Sequence, residues 1–158
     1  MPNIYYTKES NVQLAQGMLD KVNQIGQKYH AVTKKMIHIT SGNRTRPGQA
    51  QAMYTKFKNN GSVKLYSDQK NAQEIKDAYD KGIKEHKNES TVVKAMTDVI
   101  DSQVRRSAYI SYHLVGRAVD IRKKGMTSSE IEAFRKAVQG SGARLLNEGE
   151  PFHWHLQW

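Results

Sequence analysis

The last seven residues, Phe152-His153-Trp154-His155-Leu156-Gln157-Trp158, constrain the fold more than any other stretch. Apolar and polar side chains alternate there without a break. In an extended strand, successive side chains point to opposite faces. Phe152, Trp154, Leu156 and Trp158 therefore share one face, and His153, His155 and Gln157 share the other. The first face is apolar and wide enough to seal a core. The second carries two imidazoles that project the same way. A chain ending in such a strand needs a sheet with an apolar layer behind it. His-x-His on a strand is a good ledge for a metal. Read alone, it is equally an edge strand with two solvent-facing histidines.

Elsewhere the period is mostly helical. Val12, Ala15, Leu19, Val22 and Ile25 recur at three- and four-residue steps, with Leu14 and Met18 widening the stripe. This spacing predicts a helix from Lys8 to about Tyr29, weakened at its end by Gly26. Met36 to Ile39 reads as a short strand, with Ser41-Gly42-Asn43 as its turn. Further helices are expected over 48–57, 68–82 and 89–104. Asn59-Asn60-Gly61 stops the first of these. Thr127-Ser128-Ser129-Glu130 is a capping box opening a fifth helix, which Gly140 ends. Residues 144–146 and 151–158 are the closing strands. The expected class is α+β: a small antiparallel sheet packed with several helices. No repeat, low-complexity tract or linker divides the chain, so residues 1–158 are read as a single domain, with a monomer as the default.

Composition narrows the chemistry. There is no cysteine, so any metal must be held by His, Asp or Glu. Met1-Pro2-Asn3-Ile4-Tyr5-Tyr6 lacks a basic region followed by an apolar run, and no stretch approaches the ~18 apolar residues of a membrane span. The expectation is a chain without membrane insertion or an export signal of its own. The net charge is +10, which attracts polyanions such as nucleic acid or an anionic cell envelope. The lysines are dispersed, and neither a helix-turn-helix signature nor a basic aromatic sheet pattern is present. Specific nucleic-acid binding is therefore not expected.

Two further segments hold reactive residue types. In Ser111-Tyr112-His113-Leu114-Val115-Gly116-Arg117-Ala118-Val119-Asp120-Ile121, Asp120 sits on a strand with aliphatic residues behind it. A carboxylate there wants a partner. His113 is seven residues earlier, an odd spacing that would put it on the opposite face of a continuous strand. A turn at Gly116 would remove that obstacle and bring the imidazole beside Asp120. The plainer reading is a loop histidine and an ordinary surface carboxylate. In His38-Ile39-Thr40-Ser41-Gly42-Asn43-Arg44, a strand ends in a Ser-Gly turn with an arginine two residues beyond the glycine. Its guanidinium offers a fixed fork of donors for a carboxylate or a polarised carbonyl. In isolation it is a basic loop on a basic protein.

Together the three segments resemble the zinc peptidases grouped around lysostaphin, the D-Ala-D-Ala carboxypeptidases, the penicillin-insensitive murein endopeptidases and the Hedgehog signalling domain. Their shared signature is Ser-x-His-x-x-Gly-x-Ala-x-Asp followed near the C-terminus by His-x-His. Both stand here, at Ser111 to Asp120 and at His153 to His155. The carboxypeptidase branch adds Ser-Gly-x-Arg, matched by Ser41 to Arg44, with Gln49 also in the expected place. The resemblance covers roughly residues 10 to 158, although 55–105 carry no motif.

The resemblance implies that His113 and Asp120 bind Zn2+ on the sheet, with a water in the open position. His-x-His would make His155 the third ligand and leave His153 as a supporting or catalytic group. The Glu-x-x-His pattern of some carboxypeptidase relatives is matched equally well by Glu150 to His153, and would make His153 the ligand. Glu150 or His153 would take the proton from the water, and Glu150 would return it to the leaving amine. Arg44, Ser111 and Gln49 would contact the substrate, with Ser111 alternatively supporting the turn. The implied function is hydrolysis of D-Ala-containing stem peptides in peptidoglycan, as a D,D-carboxypeptidase or D,D-endopeptidase, with an L,D bond also open. Such an enzyme acts on the cell wall, in the periplasm or outside the cell, delivered by phage lysis or a secretion system. The alternative is a non-catalytic Hedgehog-like zinc-binding interaction domain.

Overall fold

The computed structural model describes residues 3–146 and 148–158. Met1 and Pro2, which head the N-terminal stretch read above, and Asn147 lie outside the described residues. In chain order the elements are β1 Tyr6–Lys8, α1 Gln16–Thr33, β2 Ile37–Ser41, α2 Arg46–Lys58, α3 Gln69–Lys84, α4 Glu89–Arg105, β3 Ala118–Arg122, α5 Ser128–Val138, β4 Arg144–Leu146 and β5 His153–Gln157. Short 3-10 turns occupy Val63–Leu65 and Tyr112–Val115. The class is α+β, as expected. The chain divides into two compact units: Met1–Asn43 with Val115–Trp158, and Arg44–Leu114.

The first unit is built on a five-stranded sheet of order β1-β2-β3-β5-β4. It is antiparallel except for β1, which pairs parallel to β2 with Tyr6 opposite Ile37. α1 and α5 pack on one another. Ile37, Ile39, Val119, Ile121, Trp154 and Leu156 share a single core with Val22, Ile25, Tyr29 and Phe134 of the helices. Trp154 is fully buried, stacked on Phe134 with ring centroids 4.9 Å apart, and Phe134 meets Tyr29 edge-on at 6.1 Å. Large aromatic rings of this kind dominate the energy of a small core. Polar groups tie the edge strand in. The Thr7 hydroxyl lies 2.6 Å from His38 Nδ1, while Glu9 meets His38 Nε2 at 3.0 Å and accepts from Arg122 at 3.1 Å.

The three residues of β1 give no strand signal in the sequence, β2 runs on through Ser41 where a turn is expected, and two further elements depart from the sequence reading. α1 starts at Gln16, not Lys8, because the residues before it pair with β2 and its turn. Glu9 N donates to Ile39 O at 3.0 Å, and Asn43 N donates to Gln13 O at 2.8 Å. Backbone groups committed to those partners are unavailable to a helix. Val12 and Leu14 still face the core, so apolar periodicity alone did not separate the two conformations. At its other end α1 continues past Gly26 to Thr33. Gly26 is a contact point: a Cβ there would stand 2.6 Å from Tyr5 O. Phe152, expected on the sealing face, lies before β5 begins and is half exposed.

The second unit is helical. α2, α3 and α4 enclose Met53, Phe57, Ile75, Val92, Met96 and Ile100. Each helix starts on a side-chain cap. Thr45 accepts from Gly48 N at 3.0 Å, Asp68 from Asn71 N at 3.0 Å and Asn88 from Thr91 N at 2.9 Å. These caps occupy amides that have no partner inside the helix. Gly82 lets α3 approach α4, since a Cβ would meet Val92 Cγ2 at 2.6 Å.

The capping box of α5 forms as expected. Thr127 Oγ1 accepts from Glu130 N at 3.2 Å, and Glu130 Oε1 accepts from Thr127 N at 2.9 Å. Lys35 Nζ adds an ion pair to Glu130 Oε2 at 2.8 Å. The Lys35 ammonium, and then the Thr127 N–H, hold the Glu130 carboxyl below the usual carboxylate range. A group so depressed stabilises the fold fully above its unfolded value of about 4.3, and that contribution is lost as pH falls through the folded value. Glu130→Gln is therefore expected to flatten stability against pH below about pH 4.5, read by denaturant titration across pH.

Two glycines of α1 separate helix propensity from packing. Alanine in place of glycine stabilises a compatible helical site by about 0.4–1 kcal/mol. Nothing lies within 4 Å of a Cβ built on Gly17, whereas one on Gly26 meets backbone. Gly17→Ala is expected to raise stability and Gly26→Ala to lower it, by urea denaturation. A stabilised Gly26→Ala would show that α1 is not pressed on Tyr5.

Candidate metal centre

Strand register brings Asp120 and His155 together. β3 and β5 run antiparallel with Asp120 opposite His155 and Arg122 opposite His153. Val119, Ile121, Trp154 and Leu156 are buried in the core, so the pleat turns Asp120 and His155 to the other face. His155 Nδ1 lies 2.9 Å from Asp120 Oδ1, and the side chains are only 20% and 16% exposed. His155 Nε2 lies 3.4 Å from Gln157 Oε1. On its other side Asp120 faces β2 where that ladder slips: Ile39 pairs with Ile121, but Ser41 pairs with Asp120. Thr40 Oγ1 donates to Asp120 O at 3.3 Å. Bulges of this kind bend a strand and re-aim its side chains.

His113 occupies the 3-10 turn Tyr112–Val115. The Ser111 hydroxyl accepts from His113 N at 3.2 Å, and the Ser111 carbonyl accepts from Leu114 N at 3.1 Å. The His113 carbonyl accepts from Arg44 N at 3.0 Å. Gly116 follows with φ +70°, a left-handed conformation that suits glycine. A Cβ there would stand 3.3 Å from Asn43 Oδ1. This is the turn that the odd His113–Asp120 spacing requires.

His113, Asp120 and His155 each offer one ligand atom, and these atoms lie within 4.8 Å of one another. His113 is 2% exposed. Two imidazole nitrogens and one carboxylate oxygen suit a divalent transition metal, and the carboxylate offsets part of its charge. Three protein donors also leave a coordination position for another ligand. The residues present therefore fit a metal ion.

Other residues singled out in the sequence fall as follows. His153, level with Arg122 on β3, is exposed and is not a member of the group. Of the two imidazoles on the last strand, register thus places His155 with Asp120. Glu150 Oε1 accepts from Phe152 N at 2.8 Å, closing a local turn before β5. Arg44 Nη1 donates to Gln49 Oε1 at 3.2 Å, and Gln49 is only 2% exposed. Gln49 thus supports Arg44 from within the first turn of α2, and Ser111 supports the turn that carries His113. Tyr66 escaped the sequence reading. Burial pushes its hydroxyl up to about 12, against the opposing pull of the Arg44 charge. It lies in the stretch without a motif, where a lone tyrosine gives no signal.

No family model, curated protein or solved structure matches the chain.

A metal that binds the folded chain and not the unfolded one stabilises it by about 2.7 kcal/mol at a hundred times its Kd. For a chain of this length that amounts to several degrees of melting temperature. A divalent transition metal is expected to raise the melting temperature of chelator-treated protein, and His113→Ala is expected to remove the rise. Equal melting curves with and without metal would contradict the site.

Proposed function

We propose that the chain is a zinc-dependent peptidase that hydrolyses the D-Ala-containing stem peptides of peptidoglycan. The observation that carries this reading is the grouping of His113, Asp120 and His155. These donors come from the two separated halves of the signature that the chain shares with the zinc peptidases named above. Two histidines and one carboxylate, with a position left for solvent or substrate, suit zinc. A bound zinc ion supplies Lewis-acid polarisation of the scissile carbonyl and acidifies a water.

The chain's own residues supply the rest. Glu150 takes a proton from the attacking water and returns it to the leaving amine. Its loop places it three residues before His153. His153, exposed on the same strand face as His155, is the second candidate for that proton. Arg44 holds the substrate carboxylate, its guanidinium oriented by the buried Gln49 amide. A net charge of +10 favours approach to an anionic cell wall.

Digestion of purified peptidoglycan by zinc-loaded protein, with products read by mass spectrometry, tests the reading. Loss of a terminal alanine would identify a carboxypeptidase, and opening of cross-linked dimers an endopeptidase. Glu150→Ala is expected to lower the rate by about 10²-fold or more while zinc stays bound. No product from any wall type with zinc bound would contradict the peptidase and favour a zinc-binding interaction domain.

A further inference from the structure

We propose that Gln157 is a positioning residue for the metal site: its amide oxygen accepts from His155 Nε2–H and so presents His155 Nδ1 as the metal ligand. The inference rests on the metal reading above and extends it to a residue outside the donor set. Its basis is the pleat of β5. His155 and Gln157 are two residues apart on one strand, so their side chains lie on the same face. His155 Nε2 is 3.4 Å from Gln157 Oε1, while Nδ1 is 2.9 Å from Asp120 Oδ1. The two ring nitrogens are thus already distinguished, one toward the donor group and one toward the amide.

Across the sheet His155 faces Asp120 on β3 and Leu146 on β4. Asp120 belongs to the donor group, and Leu146 offers no polar side-chain atom. Gln157 itself faces the fully buried Ala118 on β3 and Arg144 on β4. An imidazole that binds metal through one nitrogen carries its proton on the other, and an acceptor for that proton fixes both tautomer and ring orientation. A neutral amide does this without adding charge to the site. Losing such a partner commonly costs 10- to 100-fold in metal affinity.

The test is competition titration of Zn2+ against a chromophoric chelator, joined to 15N NMR of the histidine rings in the zinc-loaded protein. Gln157→Ala is expected to weaken zinc binding by about 10- to 100-fold, with the far-UV circular dichroism of the metal-free protein unchanged. Gln157→Glu, which restores an acceptor, is expected to bind within a few-fold of the unmodified chain. The ring spectra are expected to show His155 coordinated through Nδ1 with its proton on Nε2. Undiminished affinity in Gln157→Ala, or coordination of His155 through Nε2, would overturn the role of Gln157 and leave the metal site standing. Failure of the unmodified chain to take up zinc would overturn both.

Discussion

Antiparallel pairing of β3 with β5 is the constraint on which the rest depends. It places Val119 and Ile121 level with Leu156 and Trp154, and all four are buried. The same register sets Asp120 against His155 on the opposite face. A shift of one residue would turn the apolar set to solvent and the donors into the core, so the register is held by hydrophobic burial. The core residues and two of the three candidate donors lie on the two sides of one strand pair.

The third donor needs different means. His113 cannot reach its partners along a continuous strand, and its position depends on a break in regular structure. Ser111 closes a 3-10 turn around it, Arg44 N holds its carbonyl, and Gly116 takes the positive φ that returns the chain to β3. Two signature residues other than the donors thus have structural work: the serine orders the turn and the glycine permits it. The arginine of the Ser-Gly-x-Arg segment is supported separately, from the buried Gln49 amide.

Much of this was legible in the residues themselves. Strict alternation in 152–158 located the last strand and its two faces, and the capping box of Thr127 and Glu130 located α5. The α+β class followed from their combination with the helical periods. The start of α1 was not legible, because Val12 and Leu14 satisfy both a helical stripe and an extended segment that faces the core. β1 was missed because three residues at a sheet edge carry no alternation worth reading. Which histidine joins Asp120 could not be settled from His-x-His and Glu-x-x-His, since both patterns fit. Register decides it, and register is a property of two strands that no local motif records. The parting of roles between Arg44 and Gln49 likewise depended on burial, which spacing does not report.

The central claim is that His113, Asp120 and His155 bind one metal ion. It is tested most directly by equilibrium dialysis of metal-stripped protein against Zn2+, with bound metal counted by plasma mass spectrometry. The account predicts about one zinc per chain for the unmodified protein and for His153→Ala, and almost none for His113→Ala or His155→Ala. Zinc retained in His155→Ala and lost in His153→Ala would contradict it, as would an unmodified chain that binds none.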